Sequence, residues 1–199
     1  AIICHHGLNF CSEDSIENSI PSFILQKRLK YLYQNGLSLF GFHYFLDSHP
    51  EIGNNAQIIK KLGYEPKEKF GEERKAGEFW GWGFETKNKV EVDEIFQKTQ
   101  ELFSGNSRIY RFGKSKIKRV AVVSGGGSFM LVEAWKKNFD LLITGEVKEK
   151  TQEIARELSM NLIWGGHYIT ETFGIKALKE KIEKDLGLET EYVEVMNLS

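Results

Sequence analysis

The second half of the chain alternates short apolar segments with longer amphipathic ones, and this alternation restricts the fold more than any other feature. The apolar segments, which we interpret as strands, lie around Ile109 and at residues 120–123, 141–143, 162–164 and 192–195. The segments between them predict helices at residues 129–137, 147–158 and 171–186. Such alternation predicts an α/β fold with a largely parallel or mixed sheet flanked by helices.

The first half is less regular. An apolar strand opens the chain, and apolar residues with helical spacing predict a helix that ends before Gly36. Residues 37–42 predict a strand, and the polar residues and proline at 43–50 predict a loop. A Gly-Asn-Asn turn at 53–55 then precedes a short helix at 56–62. Residues 65–90 are interpreted as a polar linker followed by a strand, and a helix starting at Asp93 ends near Gly105.

Two blocks of sequence recur in the same order in both halves. Residues 39–47 (LFGFHYFLD) align with 163–171 (IWGGHYITE), and residues 1–6 (AIICHH) align with 141–146 (LLITGE). We therefore expect two related α/β domains that face each other across a cleft, residues 1–64 and residues 65–199. Chance similarity of short strand-loop-helix units is the alternative. Because a strand, a turn and a helix at 118–140 precede the second block, we also expect the N-terminal domain to be truncated before Ala1.

Composition and charge exclude some classes of protein. The chain has 199 residues, of which 27 are basic and 28 acidic, so no overall charge attracts it to nucleic acid or to an anionic membrane. No apolar run approaches the roughly 20 residues of a membrane span. Cys4 and Cys11 form no CxxC motif and suit the reducing cytoplasm, where we expect the protein. A chain of this length needs no metal for folding, so a bound metal would be functional.

A histidine pair follows the opening strand. Where a chain leaves a sheet, neighbouring side chains no longer point to opposite faces, so His5 and His6 can both reach one site. Imidazole is the commonest protein ligand for transition metals. A pair of this kind also occurs without any ligand, so the pair alone does not establish a site.

The duplicated block adds a histidine and a carboxylate in each half. His167 and Glu171 are four residues apart, which can place them on one helix face, and His43 with Asp47 is the matching pair. A purely structural explanation is that Glu171 favours a helix N-terminus and His167 is a loop residue. Four of the five histidines nevertheless fall in these repeated blocks, which favours a metal site.

The number of candidate ligands suggests two ions. The candidates are His5, His6, Asp47, His167 and Glu171. They exceed the ligands of one open catalytic zinc site, whereas two divalent ions about 3.5–4 Å apart would use them all. This set suits Zn, Mn, Fe or Ni, and a metal-activated water makes hydrolysis the expected chemistry. His43, His49 and Glu146 then stand as candidates for supporting the ligands, binding substrate or transferring protons. Of these, His43 and Glu146 are the catalytic candidates, and His49 is alternatively a loop residue.

Two other motifs each allow two interpretations. The glycine run at 124–128 (SGGGS) follows a strand and opens a helix, so it either cradles a phosphate with its N–H groups or forms a tight turn with close packing. The basic cluster of Lys114, Lys116, Lys118 and Arg119 either steers a triphosphate or forms a solvated strand edge.

Together the motifs resemble one family. They are CHHG at 4–7, HxxxDxHPExGNN at 43–55, SGGGS at 124–128, ITGE at 143–146 and HxxxE at 167–171. The chain is similar to the dinuclear-metal family of type 2 homologues of GTP cyclohydrolase I, also called interacting-factor-three-like proteins. The resemblance implies two α/β domains facing across a cleft, a toroidal homohexamer, and metal binding by the five candidate ligands.

The resemblance also implies a reaction. GTP would be converted to formate and 7,8-dihydroneopterin triphosphate by attack of an activated water on the guanine C8, with Glu146 or His43 moving protons. Two alternatives remain open. One is a dimetal hydrolase that acts on another nucleotide or a phosphoester. The other is a ring-shaped scaffold that binds nucleic acid or protein and uses its metals structurally.

Overall fold

The computed structural model describes residues 1–8, 22–71 and 79–195, so Cys11 lies outside the described residues. Within these ranges the helices are α1 (Ser22–Gln34), α2 (Tyr44–Ser48), α3 (Asn54–Lys61), α4 (Val92–Leu102), α5 (Leu131–Lys136), α6 (Glu149–Glu157), α7 (His167–Thr170) and α8 (Thr172–Leu186). The strands are β1 (Ile2–Cys4), β2 (Leu39–Gly41), β3 (Glu68–Phe70), β4 (Gly81–Glu91), β5 (Arg108–Tyr110), β6 (Lys116–Val123), β7 (Leu141–Thr144) and β8 (Asn161–Trp164). None of the described helices has the length and apolar character that crossing a membrane requires.

The larger sheet has six strands in the order β3-β4-β6-β7-β8-β5. Its central strands β6, β7 and β8 are parallel, whereas β3, β4 and β5 run antiparallel to their neighbours. This mixed sheet confirms the predicted α/β fold. Because parallel strands end at the same edge, the loops that follow β6, β7 and β8 meet there, which is where ligands bind in open α/β sheets.

A second, two-stranded sheet is formed by β1 and β2. The strands are parallel, with Ile3 opposite Phe40, and α1 lies between them in the chain. The backbone N–H of Phe42 donates to the carbonyl of Cys4, so pairing continues to the point where both strands end. The segments after β1 and β2 therefore start side by side.

Both faces of the larger sheet are covered by helices. Leu141 and Ile143 point to the face that α3 covers with Ile58, whereas Leu142 points to the opposite face and packs in one cluster with Leu131 of α5. All five side chains are at most 1% exposed. Burial of each such side chain stabilises the fold by about 1.5–3 kcal/mol. Residues of α3 thus belong to the core of the larger sheet.

The prediction of a loop at residues 43–50 is wrong, because α2 occupies Tyr44–Ser48. The carbonyl of His43 accepts hydrogen bonds from the N–H groups of Leu46 and Asp47, and both of these residues are buried. A helix of this length is unstable on its own, and tertiary packing against α3 and α8 stabilises it.

Two further local predictions are corrected. Residues 192–195, predicted as a strand, are not part of a sheet, and Val193 and Val195 are 71% and 69% exposed. An apolar segment becomes a strand only where a partner strand can receive its hydrogen bonds. The predicted helix at 129–137 begins as a 3-10 turn over Gly127–Met130, and α5 follows it.

Candidate metal centre

Three histidines meet where the two-stranded sheet ends. His5 and His6 directly follow β1, and His43 comes two residues after the end of β2. Since the two strands are parallel neighbours, these positions share one edge. The centroid of the His43 ring lies 4.8 Å from that of His5 and 4.6 Å from that of His6.

Glu171 approaches the histidines from the larger sheet. It lies between α7 and α8, and its side chain is 11% exposed. Its Oε2 is 2.7 Å from His6 Nε2, and its Oε1 is 3.1 Å from His167 Nε2 and 3.6 Å from His5 Nε2. One buried carboxylate therefore faces three imidazole rings.

The residues that lie closest together have the chemistry of a metal site. One potential ligand atom from each of His5, His6, His43 and Glu171 lies within 4.8 Å of the others. His5 Nε2 is buried and makes no hydrogen bond, although Asp47 Oδ2 and Glu171 Oε1 are only 3.4 and 3.6 Å away. A cation would satisfy this nitrogen and both carboxylates. Imidazole and carboxylate ligands suit Zn, Mn, Fe or Ni.

The pKa values of the clustered histidines and of Glu171 are shifted by their mutual contacts. Burial lowers the pKa of His5, but the neighbouring carboxylates of Asp47 and Glu171 outweigh it and raise the pKa to about 10. Hydrogen bonding to Glu171 raises the pKa of His167 to about 9 despite burial. Burial, together with the nearby charges of His5 and His6, lowers the pKa of His43 to about 4. Burial raises the pKa of Glu171, but the surrounding histidines outweigh it and hold the pKa below its usual range.

Asp47 and Glu146 lie beside different histidines of the cluster. Asp47 of α2 is buried and faces His5, whereas Glu146 follows β7 and places its Oε2 3.1 Å from His167 Nδ1. All seven predicted ligand and catalytic residues thus lie in one connected network. The tightest group contains His43, which the sequence placed beside the ligands as a catalytic candidate, while Asp47 and His167 lie next to that group.

His49 has a different role. Its Nδ1 accepts hydrogen bonds from the backbone N–H groups of Glu51 and Ile52, so it caps the loop that follows α2. The interpretation of His49 as a loop residue therefore fits its contacts.

The glycine run after β6 packs tightly beside the cluster. Gly125 has a φ of +59°, its N–H donates to Thr170 Oγ1, and its carbonyl accepts from the N–H groups of Gly145 and Glu146. The N–H of Ser124 donates to Asn55 Oδ1. These two amides are used within the fold, which supports the tight turn over the phosphate cradle at this end of the run.

Two members of the basic cluster at 114–119 contact carboxylates. Arg119 contacts Glu68 and Glu85, and Lys116 lies 3.9 Å from Glu91. These contacts fit the interpretation of the cluster as a solvated strand edge.

Two residues that organise the site were missed from the sequence. Asn54 and Asn55, predicted as part of a turn, instead start α3 and are fully buried. Their amides contact Asp47, whose carboxylate points toward His5. The available signal was two consecutive amides directly before the apolar face of a helix, since buried amides need specific partners.

The family model Duf34/NIF3 (NGG1p interacting factor 3) matches residues 1–198. The chain belongs to this family. The resemblance inferred from the motifs is thereby confirmed.

Two relatives that resemble this chain in sequence carry the same name. The "GTP cyclohydrolase 1 type 2 homolog" of Pyrococcus horikoshii is 38% identical over 195 residues, which cover 97% of this chain and 74% of that protein. The protein of the same name from Archaeoglobus fulgidus is 34% identical over 194 residues, covering 98% and 74%. The crystal structure of TTHA1606 from Thermus thermophilus matches with a TM-score of 0.74 at 28% identity, covering 88% of this chain and 68% of that one.

Proposed function

We propose that this Duf34/NIF3 protein is a dinuclear metal-dependent hydrolase that releases formate from GTP. The observation that carries this proposal is the position of Glu171, whose two oxygens face different histidines. Oε2 faces His6, and Oε1 faces His167. With histidines on both sides, Glu171 would help to hold two divalent ions.

The proposed ligands are His5, His6, Asp47, His167 and Glu171. Buried carboxylates need compensating positive charge, which two divalent ions would supply to Asp47 and Glu171. His5 Nε2 lies 3.4 Å from Asp47 Oδ2 and 3.6 Å from Glu171 Oε1, so it would serve as a ligand of one ion together with these carboxylates.

The remaining chemistry belongs to side chains beside the ligands. Bound divalent ions would lower the pKa of a water molecule and polarise the bond under attack. Glu146 Oε2 lies 3.1 Å from His167 Nδ1 and Glu171 Oε1 lies 3.1 Å from His167 Nε2, so Glu146 would hold the Nδ1 proton of His167 when Nε2 serves as a metal ligand. We assign proton transfer to Glu146 and His43, since both lie directly beside the ligand set.

Two residues at the site are open to solvent. The side chains of Glu146 and His167 are 50% and 35% exposed, whereas that of His5 is 6% exposed. Glu146 and His167 are thus accessible to a substrate from solvent. GTP is supported by the name that the relatives carry. In that reaction water adds to the guanine C8 and the C8–N9 bond opens to give a formamide, and a second water then cleaves the remaining C8–N7 bond and releases C8 as formate.

The proposal is tested with purified protein whose metal content is measured by elemental analysis. Metal-loaded wild type should release formate from GTP, detected with a coupled formate dehydrogenase assay. His5→Ala should abolish formate release and reduce the bound metal. His49→Ala is the control, because it removes a partly buried histidine and leaves the ligand set intact.

The possible outcomes distinguish a wrong substrate from a wrong metal centre. Absence of formate release by fully metallated wild type would reject GTP as the substrate. Hydrolysis of another nucleotide in the same preparation would retain the metal centre and replace the substrate. Equal metal content in wild type and His5→Ala would reject the proposed centre.

A further inference from the structure

We propose that Asn54 and Ser124 are positioning residues that leave a single carboxylate oxygen of Asp47, Oδ2, facing the metal centre. Because it concerns Asp47 as a ligand, this role rests on the proposed function. The site would thus depend on buried amide and hydroxyl groups that touch no metal.

The two oxygens of Asp47 have different surroundings. Oδ1 accepts a hydrogen bond of 2.8 Å from Asn54 Nδ2 and one of 3.1 Å from Ser124 Oγ. Oδ2 instead lies 3.4 Å from His5 Nε2. With Oδ1 engaged by two donors, rotation of the carboxylate to present both oxygens to a metal would break both hydrogen bonds.

The direction of the Asn54 amide is set by the backbone. The N–H of Gly174 in α8 donates to Asn54 Oδ1 at 2.6 Å. A backbone N–H can only donate, so this oxygen cannot exchange places with Nδ2. The amide group therefore has to point its donor at Asp47. Asn54 is fully buried, so no water competes for these contacts.

Asn55 positions the main chain at Asp47 and at Ser124. Its Oδ1 accepts from the N–H of Ser124 at 2.7 Å, and its Nδ2 donates to the carbonyl of Asp47 at 3.1 Å. The same Nδ2 also donates to the carbonyl of Trp80. The consecutive amides thus have separate roles, since Asn55 places the main chain and Asn54 orients the carboxylate.

Preorganised ligand side chains bind a metal without first losing rotational freedom. Removal of a hydrogen-bond partner that orients a ligand typically weakens metal binding by about 10- to 100-fold. Asp47 is held by α3 through Asn54 and by the loop after β6 through Ser124, and Asn54 in turn contacts α8. Correct placement of Oδ2 therefore requires that these three elements dock together.

The test compares two Ser→Ala variants. Ser124→Ala removes a donor to Asp47 Oδ1, whereas Ser48→Ala removes a hydroxyl that donates to the carbonyl of Phe45. Both serines are 9% exposed, so the cost to stability should be similar. Calorimetric titration with Mn²⁺ should show about 10-fold weaker binding for Ser124→Ala and wild-type affinity for Ser48→Ala.

A double-mutant cycle with Asp47→Ala shows whether Ser124 acts through this carboxylate. Ser124→Ala should cause no further loss of Mn²⁺ affinity once Asp47 is replaced. An equal loss in both backgrounds, or equal affinities for Ser124→Ala and Ser48→Ala, would overturn the inference. If wild type binds no Mn²⁺, Zn²⁺, Fe²⁺ or Ni²⁺ at all, the proposed metal centre fails first and the positioning role falls with it.

Asn54→Ala is a second variant for the Mn²⁺ titration. It should weaken Mn²⁺ binding at least as much as Ser124→Ala, because it removes the shorter hydrogen bond to Oδ1. This variant also leaves the N–H of Gly174 without its acceptor, so its unfolding free energy is measured alongside. The smaller Ser124→Ala change decides the question if Asn54→Ala does not fold.

Discussion

Gly125 and Gly36 form a matched pair that tests how closely the glycine turn is packed against the metal centre. Both have a φ of +59°. A Cβ atom at Gly125 would overlap Glu171 Oε1 and come within 3.0 Å of His167 Nε2, whereas a Cβ atom at Gly36 would meet nothing within 4 Å. Alanine at either position adds the same backbone strain, but only Gly125→Ala also displaces the carboxylate.

The two costs can be estimated separately. Left-handed backbone costs a non-glycine residue about 1–2 kcal/mol, which is the expected loss of unfolding free energy for Gly36→Ala. Displacement of Glu171 adds the loss of at least one hydrogen bond to a charged group, worth about 1.5–3 kcal/mol. Gly125→Ala should therefore lower the unfolding free energy of the metal-free protein by about 2.5–5 kcal/mol.

Urea unfolding followed by tryptophan fluorescence measures both losses, with chelator present. Mn²⁺ titration of the same variants adds a local readout. Gly36→Ala should bind Mn²⁺ like wild type, and Gly125→Ala should bind at least about 10-fold more weakly. Equal stability losses together with equal Mn²⁺ affinities would refute the close packing of Gly125 against Glu171.

Two further predictions concern charge. Burial lowers the pKa of His5, but Asp47 and Glu171 raise it to about 10, so the fold retains a proton that the unfolded chain releases near pH 6.5. The stability that this proton contributes is complete below pH 6.5 and is lost as the pH rises toward 10, by at most about 1.4 kcal/mol per pH unit. Hydrogen bonding to Glu171 raises the pKa of His167 to about 9, so urea unfolding of metal-free protein from pH 6.5 to 9.5 measures the combined slope of His5 and His167, and a flat profile would contradict both shifts. Glu146→Gln should weaken Mn²⁺ binding about 10-fold, because a neutral amide orients His167 less strongly than a carboxylate does. Glu149→Gln, at an exposed position, should leave Mn²⁺ affinity unchanged. Equal Mn²⁺ affinities of the two variants would show that Glu146 does not orient His167.

The larger sheet could be predicted because its signal is local. The run from Leu141 to Ile143 is apolar at every position, as expected for a strand covered on both faces, and residues on either side mark its limits. α2 could not be predicted in the same way. Its five residues carry no helical periodicity, and buried contacts of Leu46 and Asp47 stabilise it.

The residue types of the candidate site could also be predicted from the sequence, but their arrangement within the site could not. His5, His6 and Glu171 stood out because they end strands or begin helices in repeated blocks. The sequence did not reveal that His43 joins the tightest group, or that Asn54 reserves one oxygen of Asp47. Those facts depend on distances between elements that are far apart in the chain.

By itself, the sequence determined the α/β fold class and the family, and it identified the histidines and carboxylates of the candidate site. Alternating apolar segments and repeated motifs are local properties, and they remain visible without coordinates. Only the tertiary structure decided which atom of each side chain faces the site. The direction of the Asn54 amide depends on the backbone N–H of Gly174, 120 residues later in the chain, and such a contact exists only after α3 and α8 have docked.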